Sequence, residues 1–456
     1  MQATQFFDSA LLKKYNTSGP RYTSYPTALE FHDQFKHDHL VQAIEASPNR
    51  ELSLYVHIPF CHSLCYYCGC NKVITRHRDK ADTYLEFLAE EIASRAPLFK
   101  DYTVKQLHWG GGTPSFLRHE QITKLVELLK EKFTFADQVE MSIEIDPREI
   151  EMDLAEHLYS LGFNRLSIGV QDIDEKVQQT INRVQSTEFI ENFIAHAKEV
   201  GFKSINIDLI YGLPHQTIDT FTRTLNKAHE MDVDRISLFS YAHIPARFAA
   251  QRKLRDEWLP SVDEKFALMK LAIEKLCDFG YDFIGMDHFA KPQDELSIAQ
   301  KDGTLHRNFQ GYTTKGNCDL LGLGVSSISA IGNSFSQNTK ELQDYYKAID
   351  KQAHAHVKGV SLSTDDIIRG EVIRELMCNL YVNKAKVSAK FDINFDEYFA
   401  EDLPLLETFI NDGLVSNTSE SIQVVQKARL LIRNICMSFD AYMKQHVNKQ
   451  RFSRVI

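Results

Sequence analysis

Leu54-Tyr-Val-His-Ile-Pro-Phe-Cys-His-Ser-Leu-Cys-Tyr-Tyr-Cys-Gly-Cys70 reads as a β-strand that runs directly into a cysteine loop. In an extended chain Tyr55 and His57 share one face, and the Cys61-x3-Cys65-x2-Cys68 spacing follows at the strand's carboxyl end. Ligands bind at that end in barrels and open α/β sheets alike. Three thiolates suit an iron-sulfur cluster, whose fourth iron then stays open for chemistry. A structural zinc site closes all four positions. Cys70 offers a fourth thiolate, although Cys68 and Cys70 are awkwardly close in sequence to serve one tetrahedral ion.

Outward from this loop, short β-like runs alternate with helical ones, the pattern of an α/β protein with a parallel sheet. Strands are expected at Ser53 to Ile58, Lys105 to Trp109, Met141 to Ile145, Arg165 to Val170, Ser204 to Ile210 and Arg235 to Tyr241. Between them Ala81, Leu85, Leu88 and Ile92, and again Ile122, Leu125, Val126 and Leu129, recur at helical spacing.

Buried parallel strands usually read as continuous apolar runs, whereas these alternate. Ile143 and Ile145 oppose Ser142, Glu144 and Asp146; Leu166, Ile168 and Val170 oppose Ser167, Gly169 and Gln171; Ile205, Ile207 and Leu209 oppose Asn206 and Asp208. With helices over the apolar faces, the polar faces must meet around a wet interior or a polar ligand. The expectation is a barrel or partial barrel with a lined cavity, which six such strands would build as a partial (β/α)6 TIM-like barrel; the alternative is an open doubly wound sheet whose strand-end polar residues face solvent. After its second strand, His108-Trp-Gly-Gly-Gly-Thr-Pro114 permits positive φ and close backbone approach to a ligand. Its glycines lack the spacing of a dinucleotide-binding turn.

The expected domains are an N-terminal lid or arm segment (1–45), the partial barrel (46–285), a barrel-covering connection (286–360) and a mostly helical, winged-helix-like C-terminal domain (361–456). Lys and Arg total 52 against 62 Asp and Glu, so bulk charge favours neither nucleic acid nor an anionic membrane. No signal peptide or membrane span is legible, and cysteines crowded into 61–70 suit metal ligation better than disulfides. A cytoplasmic small-molecule enzyme is expected.

The paired cysteine loop and Gly-Gly-Gly-Thr-Pro turn resemble the radical S-adenosylmethionine superfamily. Further stretches, among them Gly19-Pro-Arg-Tyr-Thr-Ser-Tyr-Pro26, Ser142-Ile-Glu-Ile-Asp-Pro-Arg-Glu149, Gly169-Val-Gln-Asp172, Asn206-Ile-Asp-Leu-Ile-Tyr-Gly-Leu-Pro214 and His306-Arg-Asn-Phe-Gln-Gly-Tyr312, are similar to the oxygen-independent coproporphyrinogen III oxidases. That resemblance implies a [4Fe-4S] cluster on Cys61, Cys65 and Cys68, with S-adenosylmethionine on the remaining iron. It implies oxidative decarboxylation of two propionates of coproporphyrinogen III to vinyl groups, giving protoporphyrinogen IX in haem biosynthesis. Tyr55, Gly111, Gly112, Thr113, Glu144, Gln171, Arg183 and Asp208 would contact S-adenosylmethionine, with Tyr55 and Glu144 in catalytic positions. Tyr67, Ala242 and Ile328 match contacts to a second S-adenosylmethionine. A flavodoxin or ferredoxin would donate electrons to a monomeric chain. Arg21, His306 and Arg307 are candidates for the substrate carboxylates. The haem-chaperone relatives offer an alternative, a haem binder without decarboxylation. They generally lack a cysteine at the place of Cys70 and the Gly-Pro-Arg-Tyr leader.

Overall fold

The computed structural model describes residues 8–352 and 354–443; residues 1–7 of the expected N-terminal segment and 444–456 of the expected C-terminal domain lie outside the described residues. The chain divides into two units, one of residues 31–268 and 317–361 and the other of 1–30, 269–316 and 362–456.

In the larger unit every strand expected from the alternation is present: β1 (Glu51–Ile58), β2 (Thr103–Gly111), β3 (Thr134–Ile145), β4 (Arg165–Gln171), β5 (Ser204–Tyr211) and β6 (Arg235–Ser240). They lie side by side in chain order and each neighbouring pair is parallel. On the other side of β1 comes β7 (Asp319–Leu323), also parallel, and then antiparallel β8 (Ile328–Ile331), β9 (Ser334–Asn338) and β10 (His356–Ser361). The order is linear, so the α/β core is an open partial barrel and not a closed one.

The period-2 pattern sorts the faces. Ile143, Ile168, Ile205, Ile207 and Leu209 are fully buried beneath helices such as Thr187–Val200, which sets Ile190, Phe193, Ile194 and Ala197 inward. Ser186 caps that helix through the Phe189 N–H, and Gly201 ends it at φ 115°. Truncating Phe193 to alanine would cost about 3–5 kcal/mol. On the opposite face parallel register lines up polar residues. Tyr55 lies opposite His108, and His108 opposite Ser142. Glu144 pairs with Ser167, Ser167 with Asn206, and Gly169 with Asp208.

In the smaller unit the N-terminal segment is tied to the C-terminal part. Arg433 donates from Nε to the Pro20 carbonyl at 2.7 Å, Asn434 from Nδ2 to the Tyr15 carbonyl at 2.9 Å, and Tyr22 to Asp440 at 2.9 Å. Strands 381–383, 415–417 and 421–424 form a three-stranded antiparallel sheet among the helices. Among the described residues no helix is long and apolar enough to cross a membrane.

Candidate active site

The carboxyl ends of β2 to β6 surround a cavity of about 240 Å³. Cys61, Cys65 and Cys68 line it together with Tyr67, Gly111, Gly112, Thr113, Glu144, Gln171, Arg183 and Asp208. Eleven positions singled out from the sequence thus converge on one space. Tyr55, Ala242 and Ile328 are not among its lining residues.

The cysteine loop is held by the chain itself. Tyr66 N–H donates to the Ile181 carbonyl at 2.9 Å, Cys68 N–H to Cys65 at 3.2 Å, and Asn182 Nδ2 to Leu64 at 2.8 Å. At its exits Val73 N–H meets the Pro59 carbonyl and Thr75 N–H meets Cys61. Within this frame Cys61 Sγ shares a hydrogen bond with Thr113 Oγ1 at 3.3 Å. Cys65 Sγ accepts from Arg148 Nη2 and Arg183 Nη1, each at 3.4 Å. Burial pushes the Cys61 thiol up to about 12. A hydrogen bond from the Cys70 thiol draws Cys68 down to about 6. The exposed Cys70 lies at the rim, and Lys72 Nζ binds the carbonyls of Cys68 and Cys70.

Close packing explains the glycine turn. Gly111 has φ 116°, and a Cβ there would stand 2.7 Å from His57 Nδ1. At Gly112 a Cβ would stand 2.5 Å from the Pro59 carbonyl oxygen, and at Gly110 2.7 Å from Glu144 Oε1. His57 is a wall residue of this turn: its Nδ1 accepts from Tyr55 at 3.1 Å and its Nε2 donates to the Asn71 carbonyl at 3.1 Å.

Charge in the cavity is divided by sign. Glu144 accepts from His108 Nε2 at 3.3 Å and from Gly111 N–H at 3.2 Å. Burial pushes its carboxyl up, but these donors outweigh burial and hold it below its ordinary value. Asp208 goes the other way, up to about 7, because burial and the neighbouring Glu144 oppose its charge more than the Asn206 and Ser237 side chains favour it. On the cationic side, Arg183 donates to Asp146 at 3.1 Å and to the Gly169 carbonyl at 2.7 Å. Arg148 joins Asp146 at 2.6 Å. Despite burial, the two guanidiniums hold the Asp146 carboxyl down at about 2. Arg183 Nε is buried with no hydrogen-bond partner among the described residues, a position that an acceptor on a bound molecule would satisfy.

Tyr55 lies behind this wall, its ring stacked on His108 at 5.9 Å. Gln251 Nε2 binds the carbonyls of Tyr67 and Ala242, both at 3.1 Å, so Ala242 is joined to Tyr67 through one buried amide. Ile328 opens β8 opposite Gln337. Arg21, His306 and Arg307 belong to the smaller unit and are not among the lining residues. Arg21 pairs with Asp287, Arg307 lies 4.7 Å over the Tyr312 ring, and burial pushes His306 down to about 4. The sequence reading assigned no role to Asp146, Arg148 or His108. Asp146 continues the polar face of Ser142 and Glu144 and was findable there; the coupling of Arg148 to it depends on the turn after β3.

Three thiols in a fixed loop, two acidic acceptors for a cationic ligand and an unfilled guanidinium edge for a carboxylate make a donor set that fits an open-sited cluster carrying a zwitterionic, positively charged cosubstrate. Residues 55–228 match the Radical SAM superfamily, and residues 362–431 match the HemN C-terminal domain. An oxygen-independent coproporphyrinogen III oxidase of Escherichia coli (strain K12) is 55% identical over 450 residues, 99% of this chain and 98% of that protein. The protein of the same name from Pseudomonas aeruginosa is 46% identical over 456 residues, 99% of each chain. A solved structure described as coproporphyrinogen III oxidase (HemN) from Escherichia coli, a radical SAM enzyme, superposes with a TM-score of 0.93 at 54% identity, covering 96% of this chain and all of the other.

Proposed function

Because the chain belongs to the oxygen-independent coproporphyrinogen III oxidases, radical S-adenosylmethionine enzymes of haem biosynthesis, we propose how its own residues share that reaction. The cofactors are a [4Fe-4S] cluster and S-adenosylmethionine. When bound and reduced by one electron they supply a 5′-deoxyadenosyl radical, which takes hydrogen from a propionate so that carbon dioxide and a further electron can leave.

Cys61, Cys65 and Cys68 hold the cluster, and Arg148 and Arg183 offset thiolate charge at Cys65 through their hydrogen bonds to its sulfur. Arg183 also presents its unfilled Nε edge to the carboxylate of S-adenosylmethionine. Glu144 and Asp208 face its cationic and hydroxyl groups, and Gln171 and Thr113 fix its orientation from the strand ends. Gly111 and Gly112, packed closely on His57 and Pro59, present bare backbone to the cosubstrate from the carboxyl end of β2. Tyr55 acts from behind, by keeping His57 and His108 in place. Tyr67 and Ala242, joined through Gln251, and Ile328 serve a second S-adenosylmethionine.

The observation that carries this reading is the convergence of the three thiols and the polar strand-end residues on one cavity. The test is an anaerobic assay with coproporphyrinogen III, reductant and S-adenosylmethionine, following vinyl product and 5′-deoxyadenosine together. Absence of both with the cluster intact overturns it. Electrons arrive singly in this chemistry, which a cytoplasmic flavodoxin or ferredoxin supplies to a monomeric chain. Sedimentation and reduction by each donor check those points.

A further inference from the structure

A basic rim follows the cysteine loop. Residues 71–80, Asn71-Lys-Val-Ile-Thr-Arg-His-Arg-Asp-Lys80, carry Lys72, Arg76, Arg78 and Lys80 against one acid, Asp79, in a chain whose formal charge is -10. The fold ties this stretch to the first cysteine: Phe60–Cys61 pairs in parallel with Val73–Ile74, and Thr75 N–H donates to the Cys61 carbonyl at 3.0 Å. Arg76, the next residue, is exposed, as are Lys80 and, at 41%, Ile74. From the antiparallel part of the larger unit Lys340 is brought alongside, its carbonyl accepting from Asn71 Nδ2 at 3.1 Å.

We propose that this rim is the docking surface for a small acidic protein that delivers single electrons to the cluster, with Ile74 as its apolar contact and Lys72, Arg76, Arg78, Lys80 and Lys340 as its charged ones. The inference rests on the reading of Cys61, Cys65 and Cys68 as cluster ligands. In the step it serves, the docked carrier is oxidised by one electron and the cluster is reduced by one; no atom or proton changes hands. Transient redox encounters bury less surface than stable complexes, and long-range charge, more than area, sets how fast they form. A carrier that must leave after each electron suits a small basic surface.

Three observations set the rim apart from an ordinary solvated charge run. Among the described residues none of its cations has a carboxylate at ion-pair distance, whereas nearby Arg118 is engaged by Asp82 at 3.0 Å. Arg78 and Lys80 stand at the N-cap and second residue of the helix Asp79–Arg95. Cations there oppose the positive end of the helix dipole, so the helix gains nothing from them, and the dipole adds to the positive potential of the rim. The acids close by are few or already engaged. Asp79 is exposed, Asp82 is held by Arg118 and Gln121, Glu341 follows Lys340, and Glu149 acts on His62. An acidic partner therefore meets positive charge here, against the sign of the whole chain, and that contrast steers its approach.

The experiment uses the full chain with its cluster loaded anaerobically and follows 5′-deoxyadenosine with two reductants, flavodoxin reduced beforehand to its hydroquinone and the small neutral photoreductant 5-deazariboflavin. The flavodoxin-driven rate should fall on the order of tenfold or more as salt rises from about 0.01 to 1 M, because the Debye length contracts from about 30 to 3 Å. Arg76→Glu and Lys80→Glu should each slow it severalfold at low salt, and together on the order of tenfold or more. Ile74→Ser should raise the flavodoxin concentration needed for half the maximal rate. Iron content and the deazariboflavin-driven rate should stay unchanged in all of them. Lys100→Glu, ahead of β2 at the opposite end of the sheet, should change neither rate. A flavodoxin-driven rate indifferent to salt or unmoved by the double variant would overturn the docking assignment. So would an equal loss with both reductants, or a raised KM for coproporphyrinogen III with deazariboflavin, which would give the rim to the substrate carboxylates. Failure of the unaltered chain with both reductants would instead overturn the cluster reading, and this inference with it.

Discussion

His108 and Glu144 are joined side chain to side chain across adjacent parallel strands, Nε2 to Oε1 at 3.3 Å, while Ser142 closes on the other ring nitrogen at 2.6 Å. The imidazole therefore has its proton on the Glu144 side and is oriented by Ser142. Neither nitrogen is left to drift.

A phenylalanine at position 108 keeps the ring packing against Tyr55 and removes the donor. A hydrogen bond to a charged group contributes about 1.5–3 kcal/mol, so His108→Phe should weaken S-adenosylmethionine binding on the order of tenfold to a hundredfold. Iron content should stay at the level of the unaltered chain. Titration of the cluster-loaded variant measures both.

The pH dependence of that binding rests on Asp208. Its carboxyl is raised to about 7, so the folded chain binds a proton there that the unfolded chain has already released. The sign follows: this group costs stability as pH rises from about 4 to 7, and a cationic ligand must expel the proton below pH 7. Affinity for S-adenosylmethionine should rise with pH through about 7, with proton release measurable by calorimetry in buffers of different ionisation enthalpy. In Asp208→Asn the profile should be flat.

Two neighbouring glycines should fail in different ways. Gly112→Ala drives a methyl group against the backbone at Pro59, and overpacking that cannot relax costs about 1–3 kcal/mol or more. Thermal unfolding should show a clear loss. Gly110→Ala meets the movable end of Glu144 instead, so its Tm should change little while S-adenosylmethionine cleavage falls.

Cys70 stands beside the ligand set without belonging to it. Cys70→Ser should retain the cluster, read by iron analysis and by its absorbance, whereas serine at Cys61, Cys65 or Cys68 should lose it. Loss of iron in the Cys70 variant would overturn the three-ligand assignment.

Much of the core was legible because its strands are two-faced. Alternation marked β1 to β6, and the same alternation placed Glu144, Gln171 and Asp208 on the face that lines the cavity. Strands β7 to β10 escaped that reading: they are short, interrupted by Gly322 and Gly359, and rich in serine, so periodicity has little to register. The Arg148–Asp146–Arg183 group was illegible for another reason. It joins a turn after one strand to a residue beyond the next, and no local pattern encodes that meeting.

The cysteine loop is shaped by hydrogen bonds to the Ile181 and Pro59 carbonyls, from the Asn182 amide and within its own backbone, none of which involves iron. Air that strips the metal should therefore injure the catalyst without unfolding it. Repair becomes a matter of resupply: ferrous iron and sulfide, delivered without oxygen, would find the loop already in shape.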